Sequence, residues 1–163
     1  MASYRQPENT YPYFCQRGPS SDTTTNINGI STSSTFWANG NLERGLQSSI
    51  SLTNGLVFTA PVKGLYYFKI ILNCLNNGSI NNDSGSWGIT ITRASPLNNS
   101  ERYITDNPGN IATTTTEYNT QFSTIAFLNE GDTVKMGATD FVDLETYLAN
   151  RCYFMGYLIA GFA

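Results

Sequence analysis

Two stretches of this chain alternate between outward and inward positions and yet are apolar on both sides. The first follows a short run, Val57 to Ala60, of β-branched, aromatic and small residues. That run is closed by Pro61, which has no N–H to give to a ladder. Lys63-Gly64 then turns the chain into residues 65–72. A period of two places Tyr66, Phe68, Ile70 and Leu72 on one face of this strand and Leu65, Tyr67, Lys69 and Ile71 on the other. The closing strand repeats the pattern, with Cys152, Phe154, Leu158 and Ala160 alternating with Tyr153, Met155, Tyr157 and Ile159. A strand apolar on both faces needs two covers, its own sandwich on one side and a second layer or a partner subunit on the other.

The rest of the pattern predicts short strands separated by tight turns. Asn-Gly, the dipeptide that suits a type I′ turn, occurs at Asn28-Gly29, Asn39-Gly40, Asn54-Gly55 and Asn77-Gly78. Strands are predicted over residues 11–16, 35–37, 46–52, 56–59, 65–73, 86–93, 101–105, 120–128, 133–138 and 151–159. No window keeps apolar residues at three-and-four spacing for three turns, so little helix is expected. About ten short strands with little helix predict an all-β sandwich or barrel. Residues 18–34, 75–85 and 107–118 read as long polar connections, and no linker divides the chain. Residues 1–10 read as an N-terminal extension to one domain over residues 11–163.

Charge changes the picture. Charged residues are 13% of the chain, about half the usual share. The net charge of -3 offers no basic footing for nucleic acid. The surface is therefore expected to rely on Ser, Thr, Asn, Gly and Tyr, the neutral hydrogen bonding and aromatic contact of many recognition surfaces. No apolar run approaches the roughly 20 residues that span a bilayer, and no membrane insertion or signal peptide is expected. Cys15, Cys74 and Cys152 have no CxxC spacing, and the chain contains no His to complete a zinc site. Without His, neither a Ser-His nor a Cys-His nucleophile pair can form, and no GxSxG elbow, P-loop or dinucleotide fingerprint is present. The sequence predicts a protein that is not an enzyme.

Three landmarks in order carry a family resemblance. Phe58-Thr-Ala-Pro-Val-Lys-Gly-Leu-Tyr66-Tyr-Phe68 is similar to a phenylalanine, turn and Gly-x-Tyr-x-Phe strand. Leu128-Asn-Glu-Gly131-Asp132-Thr-Val134 is similar to a Leu-x-x-Gly-Asp-x-Val turn, and Phe154-Met-Gly156-Tyr-Leu158 to a closing Phe-x-Gly-x-Leu strand. Together with the aromatic strand from Tyr11 to Cys15, these make residues 11–160 resemble the globular heads of the complement C1q family and, more distantly, the tumour necrosis factor superfamily. The chain departs from the C1q heads in having no collagen-like Gly-X-Y repeat before the domain and in its long polar loops.

The resemblance implies a ten-stranded jelly-roll β-sandwich assembling as a tight homotrimer, with Tyr67, Tyr153, Tyr157 and Ile159 at the interface. It implies that the strand from Leu65 and the closing strand are antiparallel neighbours, which would bring Cys74 near Cys152. Family members that bind calcium do so from late loops, so Asp140, Asp143 and Glu145 are the candidate calcium ligands, the alternative being a hydrated acidic loop. No other cofactor is implied. Among the aromatics near polar loops, Tyr103 and Tyr147 are the candidates for ligand contact, while Trp37 and Trp87 read as core. Asn77, Asn82 and Asn98 begin N-x-Ser sequons. The expected role is a trimeric recognition head that binds a cell-surface protein or glycan from an extracellular position. The alternative is a structural surface or fibre-tip protein of a virion, phage or spore, in which trimerisation and host attachment are the role.

Overall fold

The computed structural model describes residues 13–25, 27–32, 36–37, 40–45, 49–52, 55–75, 85–106, 117–139 and 145–162. Among them are twelve strands: β1 (Tyr13–Pro19), β2 (Thr23–Thr25), β3 (Gly40–Gly45), β4 (Ile50–Ser51), β5 (Val57–Thr59), β6 (Gly64–Leu75), β7 (Ser86–Thr92), β8 (Ser100–Asp106), β9 (Glu117–Leu128), β10 (Thr133–Thr139), β11 (Glu145–Tyr147) and β12 (Tyr153–Gly161). They form two antiparallel sheets. In the larger, β6 is flanked along its whole length by β9 on one side. On its other side lie β12 and, beyond it, β11; β12 in turn pairs β1, which pairs β3, and β11 pairs β2. The smaller sheet runs β4-β5-β10-β7-β8.

The period-two pattern of β6 is realised as read, with burial alternating residue by residue along all twelve positions. Tyr66, Phe68, Ile70 and Leu72 are completely buried. Trp37 and Trp87 are core residues, as expected. The sheets are sealed by rings. Phe58 of β5 stacks on Phe14 of β1 at 5.1 Å and meets Tyr66 and Phe68 of β6 edge-on at 5.6 and 5.9 Å. Gly156 of β12 sits within this cluster. A Cβ there would lie 2.7 Å from ring carbons of both Phe14 and Phe68, which stand in a packed layer without room to withdraw. Gly156→Ala is expected to cost about 1–3 kcal/mol through overpacking, read as a lower urea midpoint. An unchanged midpoint would show that the rings yield.

Four local expectations are corrected. Phe36 and Trp37 are helical rather than a strand, and the Trp37 carbonyl accepts a 2.7 Å hydrogen bond from the buried Gln16 side chain. The supposed loop of residues 18–34 holds the end of β1, the strand β2 and a short helix, α1 (Ile27–Thr32). Asn28-Gly29 lies within α1 and not in a hairpin turn, because Ile27 and Ile30 are drawn into the core. β3 has Gly at both ends and a single apolar residue, Leu42, among polar ones, so the sequence shows no alternation there; Leu42 packs against the core and β1 is the neighbour that holds the strand. Of the strand expected over residues 46–52, Ile50–Ser51 is observed and residues 46–48 lie outside the described residues. So do residues 1–12, with the proposed extension.

Candidate functional site

The outer face of the large sheet is the feature with functional potential. Register places Tyr13, Tyr157, Tyr67 and Ile125 on one rung across β1, β12, β6 and β9. Residues directly opposite in antiparallel strands point to the same face. The Tyr67 and Tyr157 rings lie 5.2 Å apart. On the next rung, Leu65 stands between Ala160 and Phe127, and a register shift between Leu158 and Ala160 leaves Ile159 as the extra residue of β12. Phe127 is met by Phe162 at 5.9 Å and by the Lys63 ammonium at 5.9 Å from its ring centre.

Six of the eight large hydrophobic side chains that are exposed among the described residues belong here: Tyr13, Ile125, Phe127, Tyr157, Ile159 and Phe162, each 39–53% exposed. Such clustering separates this face from the scattered exposed apolar residues of any protein surface. Towards the opposite end polar residues enter the rungs. Met155, Lys69 and Ser123 share one, and Tyr153, Ile71 and Gln121 the next. Asn119 donates to Asn73 at 3.1 Å, and Arg151 pairs with Glu117 at 2.8 Å.

The predicted interface residues Tyr67, Tyr153, Tyr157 and Ile159 thus all lie on β6 or β12, Tyr157 and Ile159 exposed and Tyr67 and Tyr153 half-buried. The predicted ligand contacts fare differently. Tyr147 is completely buried, and Tyr103 stands opposite Ile89 on the inner side of the small sheet, packed against the core. Both fall on strands whose alternation turns them inward, so neither is offered from a loop. Asp140 and Asp143 lie outside the described residues; Glu145 opens β11 opposite Thr25. Of the sequons, Asn98 is exposed in the β7–β8 turn with φ 46°, a conformation Asn tolerates, and Asn77 and Asn82 lie outside the described residues.

Cys74 and Cys152 are buried and are not joined by a disulfide. The cross-ladder partners of Cys74 are Tyr147 and Tyr118, because β12 begins only at Tyr153, opposite Ile71, and the chain before it turns away through a 3-10 turn, Ala149–Arg151. The Cys152 thiol accepts from the Asn73 N–H at 3.4 Å and lies 3.5 Å from the Leu148 carbonyl. Burial pushes its pKa up to about 11, which keeps it protonated and unreactive at neutral pH.

The turn between β9 and β10 holds the sandwich together beside the apolar end of this face. Gly131 takes φ 85°, and its N–H donates to the Ala60 carbonyl at 2.8 Å. Asp132 is buried. Its carboxylate accepts from the Ala94 N–H at 2.8 Å, the Asn129 N–H at 2.9 Å and Arg93 Nη1 at 2.8 Å. Arg93 also grips Glu101 with both Nε and Nη2, at 3.0 and 2.7 Å, and donates to the Phe127 carbonyl at 2.8 Å. One guanidinium therefore ties β7, β8 and the β9–β10 turn to the last residues of β9. Burial pushes the Asp132 pKa up, but the three donors and the positive charge together outweigh it and hold the group below its ordinary value. The sequence signal for this knot was Gly131-Asp132; nothing in the sequence singled out Arg93 or Glu101.

No protein-family model matches the chain. No curated protein matches it either. Solved structures do. It is similar to the Eiger tumour necrosis factor of S. frugiperda, with TM-score 0.59, 12% identity and 95% of this chain covering 96% of that one. It is also similar to the globular domain of zebrafish complement 1qA, with TM-score 0.54, 18% identity and 93% and 99% covered. Murine APRIL aligns with TM-score 0.56, 6% identity and 91% and 99% covered. The fold is the C1q/TNF-like jelly-roll β-sandwich.

Proposed function

We propose that the chain is a non-enzymatic recognition head that works as a homotrimer outside the cell, its three copies packed through the outer face of the large sheet. The carrying observation is the aromatic and aliphatic surface built by Tyr13, Tyr67, Ile125, Phe127, Tyr157 and Ile159, which water would otherwise cover. The likeness to a C1q globular domain and to tumour necrosis factors supports the same reading, since the trimer is what the sequence resemblance implies. The ligand is a cell-surface protein or glycan, taken up by surfaces left open after assembly. Three-fold presentation raises avidity by roughly a hundredfold or more where the geometry lets sites engage together.

Light scattering on the eluting peak, at micromolar and at nanomolar concentration, tests the assembly. The expected mass is about 54 kDa, three chains of 17.9 kDa, at both concentrations. A stable monomer would overturn the homotrimer.

A further inference from the structure

The outer face of the small sheet carries an unusual rung. Lys135 of β10 stands opposite Thr90 of β7, which stands opposite Arg102 of β8. Adjacent strands are about 4.8 Å apart, so the two cationic residues are rooted about 10 Å from each other on either side of a threonine. Both are exposed, and neither makes a hydrogen bond or ion pair among the described residues. On the next rung Thr133, Thr92 and Ser100 stand in line, with the Thr92 and Ser100 hydroxyls 3.3 Å apart. On the rung to the other side Gly137 faces Gly88, and the Thr90 side chain leans over Gly137, where an added Cβ would collide with its hydroxyl. The result is a hollow of about 310 Å³ lined by Ser31, Thr90, Ser100, Arg102 and Lys135, with Gly137 and Ala138 among its apolar edges.

We propose that this hollow binds the oxyanion of an acidic saccharide, a sulfate or carboxylate held between Lys135 and Arg102, with the sugar hydroxyls on Thr90 and Ser100. Two unpaired cations on one rung, in a chain of net charge -3, repel each other until an anion sits between them. A guanidinium and an ammonium together supply directed and adaptable donors to one anionic group. Hydroxyls that donate and accept match the hydroxyls of a sugar, and Gly137 and Ala138 give the hollow an apolar edge for its C–H face. The proposal rests on the recognition-head reading and deepens it. Packing through the large sheet leaves the small sheet open on all three copies, so a weak single site is repeated three times.

The test is amide chemical-shift mapping of the full chain, titrated separately with lactose 3′-sulfate, 3′-sialyllactose, lactose and a phosphoserine peptide. Expected are shifts centred on Thr90, Arg102, Lys135 and Gly137 with one or both acidic sugars, and none with lactose. Which acidic sugar binds distinguishes sulfate from carboxylate. Raising the ionic strength about fourfold weakens the binding, since exposed charges are screened. The double variant Lys135→Gln, Arg102→Gln keeps its fold, both side chains being exposed, and binds the acidic sugar about tenfold more weakly or worse. Equal binding of lactose, stronger binding of the phosphopeptide, shifts elsewhere, or unchanged affinity in the double variant would each overturn the proposal. The mass measurement is independent: a trimer without sugar binding sinks this site alone, and a monomer that binds the sugar sinks the assembly alone.

Discussion

Tyr157→Asp and Tyr67→Asp are each expected to convert a 54 kDa assembly into monomers. The two rings face each other on the most aromatic rung of the large sheet, 5.2 Å apart, with Tyr13 and Ile125 to either side. A carboxylate placed there is forced out of water when copies pack, at several kcal/mol for a group left unpaired. In a three-fold assembly each substitution enters three interfaces. At about 2 kcal/mol per interface the trimer loses roughly 6 kcal/mol, which is about four powers of ten in the association constant. In the monomer both side chains lie on the outer face, so the fold is kept, as far-ultraviolet dichroism would verify. Thr92→Asp, on the outer face of the other sheet, is the control and keeps its mass. A Tyr157→Asp protein that stays fully trimeric at nanomolar concentration would remove this face from the interface.

Asp132→Ala is expected to produce the largest loss of stability in the fold itself. The carboxylate is completely enclosed and serves three donors, so its removal strands two backbone N–H groups and leaves Arg93 Nη1 with the Phe127 carbonyl alone. Breaking one partner from a buried ion pair costs about 3–5 kcal/mol. Glu101 still holds the other arm of Arg93, which favours the lower end. About 3 kcal/mol corresponds to a melting temperature lower by roughly 6–12 °C for a domain of this size, compared at equal protein concentration. Asp132→Asn separates charge from shape: it keeps one acceptor but turns an amide donor towards other donors, and it should lose nearly as much. A loss below about 1 kcal/mol for both would show that the turn is held by its backbone bonds alone.

The same group gives the stability a direction with pH. Its pKa in the folded state is depressed below the ordinary 3.8, so its contribution is fully present above that value. It is lost as the pH falls below 3.8 through the folded value, where the native carboxylate must take a proton. Wild-type protein should therefore lose stability more steeply in that acid range than Asp132→Asn, which has no proton to take up there.

Much of the candidate assembly face was legible because alternation is local. Any two-faced strand must put residues 65, 67, 69 and 71 on one side, and the apolar excess on that side already demanded a cover. The resemblance supplied the neighbour, and β12 does lie antiparallel to β6 with Tyr157 opposite Tyr67. Other positions resisted for identifiable reasons. Phe36 and Trp37 look like strand residues by type, but a helical turn carries them into the core, where Gln16 captures the Trp37 carbonyl. Tyr147 follows Glu145 and Thr146 near a polar loop in the sequence, and the docking of β11 on β6 places it in the core.

By itself the sequence determined the all-β class, the inward and outward sides of the long strands, the absence of histidine chemistry and the glycine turn ahead of Asp132. Each of these depends on residue type and on spacing within a few positions. Tertiary structure alone decided which distant residues share a rung or a charge. Arg93 and Asp132 meet across 39 positions, Lys135 reaches the level of Arg102 through Thr90, and Cys74 pairs across the ladder with Tyr147 while the Cys152 thiol meets the backbone of Asn73 beside it. Such meetings follow from strand order and register, which are set by how two sheets bury one common core; a one-residue slip of a strand would turn that strand's side chains to the opposite face.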